Sequence, residues 1–382
     1  MGPRNKRGGG PARALRGPCL QEGSGLAESL HVGENEGADG HVRLAPPRND
    51  VRKGSRRMRI VAIEEHFAPR DLLARRGPVL GELGRLAGRL DDVGDGRLAD
   101  MDRHGISFQV LSSTPPNPAT ADEARIWNDR LAEIVAQHPD RFGGFASLAT
   151  PDPASLPREL ERAVTTLGFS GAIVHGHAHG RFLDHPDYWP LFEAAEALAV
   201  PLYLHPTPPT PAVFDAYFGG LAPDAARVLA TSGWGWHAET GLHALRLIVS
   251  GLFDRFPHLT VVIGHMGENV PFSLARAEST LGPVVTSLRR SVSQYFTDNF
   301  FITTSAYFTL PPFLCALMVV GADRIIFSVD YPFSENGPGR AFLDALPVSS
   351  EDRDKIAHGN VERLLRLTSQ PVPPTGGPAR AS

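Results

Sequence analysis

Glu64, Glu65 and His66 follow directly on the apolar run Ile60–Ile63. In extended backbone successive side chains alternate sides, so Glu64 and His66 share a face while Glu65 points the other way. Three more short apolar runs end in similar chemistry: Pro201–Leu204 leads to His205, Thr260–Ile263 to His265, and Arg324–Ser328 to Asp330. Glu64, His66, His205 and Asp330 together offer two carboxylates and two imidazoles, a donor set suited to one divalent ion of the zinc or manganese kind. A single histidine in a chain with 15 of them says little. Ligand-type residues at the same end of four runs say much more. Thiolate sites are excluded, because the only two cysteines are Cys19 in a tail-like stretch and Cys315 in an apolar helix-like run.

The elements that must position these groups are legible as alternation. Eight short apolar runs read as strands: 59–63, 107–112, 142–148, 171–174, 201–204, 260–263, 301–304 and 324–328. Helical periodicity fills gaps between them at 121–137, 157–167, 188–198, 240–255 and 350–367. Eight βα units over residues 58–368 predict an α/β fold of the (β/α)₈ TIM-barrel type, in which side chains at the C-terminal strand ends meet at one mouth. A doubly wound sheet is the competing architecture, but no glycine-rich phosphate loop follows the first strand. Two insertions, 69–100 and 206–238, follow strands and are expected at the barrel mouth, where loops build sites.

Composition bounds the rest. The 382-residue chain has a formal charge of −4, and no basic face that would suit a nucleic acid. Its longest apolar stretch, near 313–320, is well short of a membrane span. Residues 1–57 lack any aromatic residue and are rich in glycine and arginine, which predicts a disordered basic extension, with Met58 as an alternative start. The apolar run after Arg56 and Arg57 is too short for an export signal, so the expected location is the cytoplasm. Residues 369–382 read as a disordered tail.

The segments Ile63-Glu64-Glu65-His66-Phe67, Tyr203-Leu204-His205-Pro206, Gly264-His265-Met266-Gly267-Glu268 and Phe327-Ser328-Val329-Asp330-Tyr331-Pro332-Phe333 resemble the signature segments of the amidohydrolase-superfamily decarboxylases. That group includes the γ-resorcylate, 2,3-dihydroxybenzoate, 5-carboxyvanillate and aminocarboxymuconate semialdehyde decarboxylases. The resemblance extends through connecting segments such as Pro139-Asp140-Arg141-Phe142, and the Glu-x-His start matches the dihydroxybenzoate type. It implies one divalent metal on Glu64, His66, His205 and Asp330, no organic cofactor, and non-oxidative decarboxylation of a hydroxylated aromatic carboxylic acid. It further implies that Asp330 donates the proton to the ring carbon and that His265 with Glu268 touches substrate and relays protons. Arg276 is implied to grip the substrate carboxylate, in some members across a subunit interface, and a homodimer or homotetramer is expected.

Ala306 stands where the relatives carry glycine and Tyr331 where they carry tryptophan, both near the expected pocket. His175 stands where the dihydroxybenzoate enzymes have asparagine, and with His177 and His179 it forms an alternating triplet on a glycine-flanked loop. The triplet reads as a substrate-binding position at His175, a second metal cluster or a solvated loop, and segment 234–237 as an aromatic pocket wall or packing. The same ligands would also serve a metal-dependent hydrolase, lactonase or hydratase in which Asp330 acts as base. A barrel retained only for binding is the other alternative.

Overall fold

A computed structural model describes residues 58–75 and 81–367. The expected basic extension and C-terminal tail lie outside the described residues. Nine parallel strands form among them: β1 (Val61–Phe67), β2 (Phe108–Ser113), β3 (Phe142–Gly144), β4 (Ala146–Ser147), β5 (Ala172–His175), β6 (Leu202–His205), β7 (Val261–Ile263), β8 (Phe300–Thr303) and β9 (Ile325–Ile326). They pair in chain order, β1 through β3 in one sheet and β4 through β9 in another. β3 and β4 are two halves of one stave interrupted at Phe145, whose N–H donates to Leu111 O, while Ala146 N–H donates to Gly171 O. The ring closes where His66 N–H donates to Tyr331 O, at 2.6 Å. The eight expected strands are thus the eight staves of a TIM barrel.

The period of two sorts the strands' side chains into two cores. Val61, Ile63, Ile173, Tyr203, Val262, Phe301 and Ile326 share an interior cluster with Val361 and Leu365 from the last helix. Their neighbours Ala62, Ala172, Val174, Leu202, Leu204, Val261, Ile263, Phe300, Ile302 and Ile325 pack in the larger cluster under the helices. β1 breaks this rule once. Its register against β2 shifts between Ala62 and Glu65, a bulge of one extra residue. After Ile63 the alternation restarts, so Glu64 and His66 face inward while Glu65 and Phe67 face outward.

The helix at Ala121–Gln137 has the expected bounds, with Thr120 Oγ1 accepting from Glu123 N–H at its start. Three expectations are corrected. The first strand runs on through Phe67, so Glu64, Glu65 and His66 lie within it rather than after it. The helix expected at 240–255 is two, Gly235–Val249 and Leu252–Arg255, divided where Gly251 takes φ 78°. The helix expected at 350–367 widens at Lys355–Gly359, where Ile356 O accepts from Phe327 N–H next to β9. The insertions carry helices of their own: Arg70–Arg75 and Gly81–Asp91 in the first, Pro211–Phe218 and Pro223–Ala230 in the second. The apolar run at 313–320 lies in the helix Leu310–Val320, and no helix among the described residues is long and apolar enough to cross a membrane.

Candidate active site

Each ligand-type side chain is delivered by a strand end. The bulge in β1 turns Glu64 and His66 inward, His205 ends β6, and Asp330 follows β9 in a residue with φ 71°. Donor atoms of these four buried residues all lie within 4.8 Å of one another. His66 Nε2 is 3.2 Å from Asp330 Oδ1, and His205 Nε2 is 3.4 Å from Glu64 Oε1.

The surroundings aim lone pairs at that point. Glu64 Oε2 accepts from Tyr203 and Ser305 hydroxyls and from Thr303 Oγ1, whereas Oε1 is buried and has no hydrogen-bond partner. His205 Nδ1 donates to Pro206 O at 2.8 Å, which leaves Nε2 as the acceptor nitrogen. His66 Nε2 is likewise buried without a hydrogen bond. Two oxygens and two nitrogens, with orphaned donors converging and the remaining atoms tied down, fit a divalent cation of the zinc or manganese kind. Gly264 permits the approach, because a Cβ there would sit 2.9 Å from Glu64 Oε2.

After β7 the chain coils through a left-handed stretch, with positive φ at His265, Met266, Gly267, Glu268 and Asn269. This tight turn sets His265 Nδ1 2.7 Å from Glu268 Oε1 and His265 Nε2 3.8 Å from both Asp330 Oδ2 and Glu64 Oε1. Glu268 Oε2 is 2.7 Å from His237 Nδ1, whose Nε2 lies 3.1 Å from Ser232 O.

Charge divides unequally among these groups. Burial, then the nearby His66 and His265, push His205 down to about 3, so it is neutral and able to bind a cation. Burial alone would raise Asp330, but His265 and His66 outweigh it and hold the carboxyl at about 2. Glu268 is held at about 2 by His265 and His237, also against burial. Burial opposes a proton on His265, yet Glu268 and Glu64 raise its pKa well above the ordinary value. Glu64 itself is raised, chiefly by burial and against the pull of His265.

A cavity of about 280 Å³ opens over these groups. His66, His205, His265 and Asp330 form its reactive wall, and Pro115, Trp236, Tyr307 and Phe333 supply apolar and aromatic surface. Such a mostly apolar cleft with a few convergent polar groups suits a small ring.

The structure therefore gathers Glu64, His66, His205, Asp330, His265 and Glu268. It does not bring Arg276 or His175 to the cavity. Arg276 is exposed on the helix Val270–Leu281. His175 pairs across the sheet with His205, its ring 4.8 Å away, and its Nδ1 lies 3.1 Å from Asn117 Oδ1. The histidine triplet is not one ligand set, since His177 faces Glu239 at 3.2 Å and His179 is exposed. From the segment 234–237, Trp236 and His237 line the cavity while Trp234 is 56% exposed. Sequence reasoning overlooked Glu65. Its carboxylate accepts from Val329 N–H at 2.9 Å, Tyr331 N–H at 3.2 Å and Ser328 Oγ, and so holds the backbone on both sides of Asp330. An acid on the outward face of a buried strand was the available signal.

A profile of the Amidohydrolase family matches residues 38–367. The γ-resorcylate decarboxylase of Polaromonas sp. strain JS666 is 38% identical over 329 residues, 80% of this chain and 98% of that protein. A crystal structure of a Polaromonas dihydroxybenzoic acid decarboxylase, with bound manganese and the inhibitor 2-nitroresorcinol, superimposes with a TM-score of 0.74 at 39% identity, covering 81% of this chain and 97% of that one. The 5-carboxyvanillate decarboxylase of Sphingomonas paucimobilis gives 0.74 at 34% identity over 81% and 100%.

Proposed function

The chain belongs to the amidohydrolase family, and on that premise we propose a division of labour among its residues for a metal-dependent, non-oxidative decarboxylation. The enzyme is a carboxy-lyase acting on hydroxylated aromatic carboxylic acids. Glu64, His66, His205 and Asp330 hold one divalent ion, with manganese the first to test because a similar structure binds it. When bound, that ion supplies a Lewis-acid anchor for the substrate's carboxylate and ortho hydroxyl.

The chain's own groups do the rest. Phe333, Tyr307, Trp236 and Pro115 enclose the ring and exclude water from it. His265, raised in proton affinity and 3.8 Å from Asp330, stores the proton; Asp330, a strong acid here, passes it to the ring carbon bearing the carboxylate. The new C–H bond forms at that carbon, the C–C bond to the carboxylate breaks, carbon dioxide leaves, and its bonding pair restores the aromatic ring. His265 then regains a proton from solvent with Glu268 fixing its ring. Arg276, exposed and away from its own cavity, serves a neighbouring protomer's substrate in a homodimer or homotetramer of the cytoplasm.

One observation carries this reading: His265 Nε2 lies 3.8 Å from Asp330 Oδ2 at the edge of a metal-type donor set, inside an aromatic cavity. The test is manganese-loaded protein incubated anaerobically with 2,6-dihydroxybenzoate and with 5-carboxyvanillate. Release of carbon dioxide equimolar with the decarboxylated ring supports it. Hydrolysis of an aromatic lactone with no carbon dioxide from either acid would replace it with the hydrolase alternative.

A further inference from the structure

Outside the metal donor set, the described residues contain one more compact group of ligand-type side chains, His237, His265 and Glu268, all buried. It is not built for a second ion. Glu268 gives one oxygen to each imidazole at 2.7 Å, and the second nitrogen of His237 is 3.1 Å from Ser232 O, so of its six potential ligand atoms only His265 Nε2 is not engaged in these bonds. The arrangement instead makes Glu268 the centre of a bracket with two arms. His265 is the arm that faces Asp330. His237 is the arm that faces away from it, its ring centroid 5.0 Å from that of His265 and 5.3 Å from that of Tyr307.

A carboxylate held by one hydrogen bond keeps freedom to turn about its side-chain torsions, whereas one held at both oxygens does not. Glu268 is held at both oxygens, one by each imidazole, and these two bonds set its carboxylate plane. His237 is in turn fixed from the far side by the backbone of Ser232, an exposed residue that lines the same cavity. We propose that His237 is a positioning residue for the decarboxylation: it locks Glu268, and through Glu268 holds the His265 ring with Nε2 directed at Asp330. Both its ring nitrogens already have hydrogen-bond partners, so His237 acts on the reaction only through Glu268.

This rests on the decarboxylase reading, and its test separates the two. In asparagine the amide nitrogen overlays Nδ1 of histidine, and in glutamine it approaches Nε2, so His237→Asn keeps the donor to Glu268 and His237→Gln keeps only the link to Ser232. With manganese-loaded full-length protein and 2,6-dihydroxybenzoate, His237→Gln is expected to lower kcat about 10-fold with KM within about twofold, and His237→Asn to recover most of that loss. His237→Gln added to Glu268→Gln should cost nothing further, because the carboxylate it acts through is gone. In metal-free protein carrying ¹⁵N-histidine, His237→Gln should move the ring-nitrogen resonances of His265, and His237→Asn should leave them in place. Equal loss in both variants, a change confined to KM, additive loss with Glu268→Gln, or unmoved His265 resonances would each overturn the positioning role. Failure of unaltered enzyme to release carbon dioxide would instead count against the decarboxylase reading, while the resonance test would still stand.

Discussion

Three hydroxyls crowd one oxygen of Glu64 and none reaches the other, so the carboxylate is asymmetric before any ion arrives. That asymmetry depends on the missing side chain at Gly264. Gly264→Ala would force a methyl to 2.9 Å from Glu64 Oε2, and is expected to lower metal affinity roughly 10–100-fold, as loss of a supporting contact does. Metal analysis after dialysis against graded free manganese would check this, and undiminished binding would show that Gly264 is not what admits Glu64. The proton path gives an ordering. Asp330→Asn removes the group that delivers the proton and should abolish turnover. His265→Asn should cost roughly 10²–10⁴-fold while sparing metal content, and Glu268→Gln should be milder because it acts through His265. Near-normal turnover in Asp330→Asn would end the mechanism as written. At this scale the sequence was informative where chemistry and position coincide, as at Glu64, His66, His205, His265, Glu268 and Asp330. It was silent on Tyr203, Thr303 and Ser305, which are ordinary barrel residues until the fold sets their hydroxyls on Glu64.

β1 illustrates what strand patterns can and cannot carry. Alternation correctly put Glu64 and His66 on one face, but the bulge that restarts the alternation after Ile63 has no glycine or proline to announce it. Without it Glu65 would enter the barrel and both ligands would leave it. The helices tell the same story from the other side. The break at Gly251 follows from a local φ preference, whereas the widened turn at Lys355–Gly359 answers a long-range hydrogen bond from Phe327 that no local pattern encodes. Glu65 is the residue that ties β1 to the segment carrying Asp330. Glu65→Ala leaves the buried N–H groups of Val329 and Tyr331 without an acceptor, at about 1–3 kcal/mol each. The expected result is a fall in stability of about 3 kcal/mol together with reduced metal content, since Asp330 sits between the freed groups. Urea unfolding measures the first and metal analysis the second; an unchanged midpoint would mean water or another acceptor replaces the carboxylate without cost.

The order of the staves was legible across the whole molecule because it follows chain order, while the contents of the insertions and of the long mouth loops depend on contacts between distant segments. One such contact is Leu183 N–H donating to His243 Nε2 at 2.9 Å, which requires a neutral imidazole. Burial, with His177 and Arg246 nearby, pushes His243 down to about 3. The unfolded chain binds this proton below its ordinary value near pH 6.5 and the native state does not, so stability is lost as pH falls from about 6.5 toward 3. At pH 5 that loss is about 2 kcal/mol, and His243→Gln, which keeps an acceptor but cannot titrate, should lose correspondingly less between pH 7 and pH 5. Parallel slopes for the two proteins would refute the assignment. The metal acts on the same balance in the opposite sense. Its proposed ligands come from β1, from β6 and from beyond β9, so only the closed barrel brings all four together. An ion that binds the folded state alone at a hundred times its Kd adds about 2.7 kcal/mol, which for a chain of this size is roughly 5 °C in Tm. Chelation should lower Tm by that amount and manganese restore it, with the shift shrinking as pH falls and protons compete for the imidazoles. In His205→Ala the shift should all but vanish at the same free manganese. A chelator-insensitive Tm in the unaltered protein would mean that the four residues do not bind an ion as a unit, whatever their proximity.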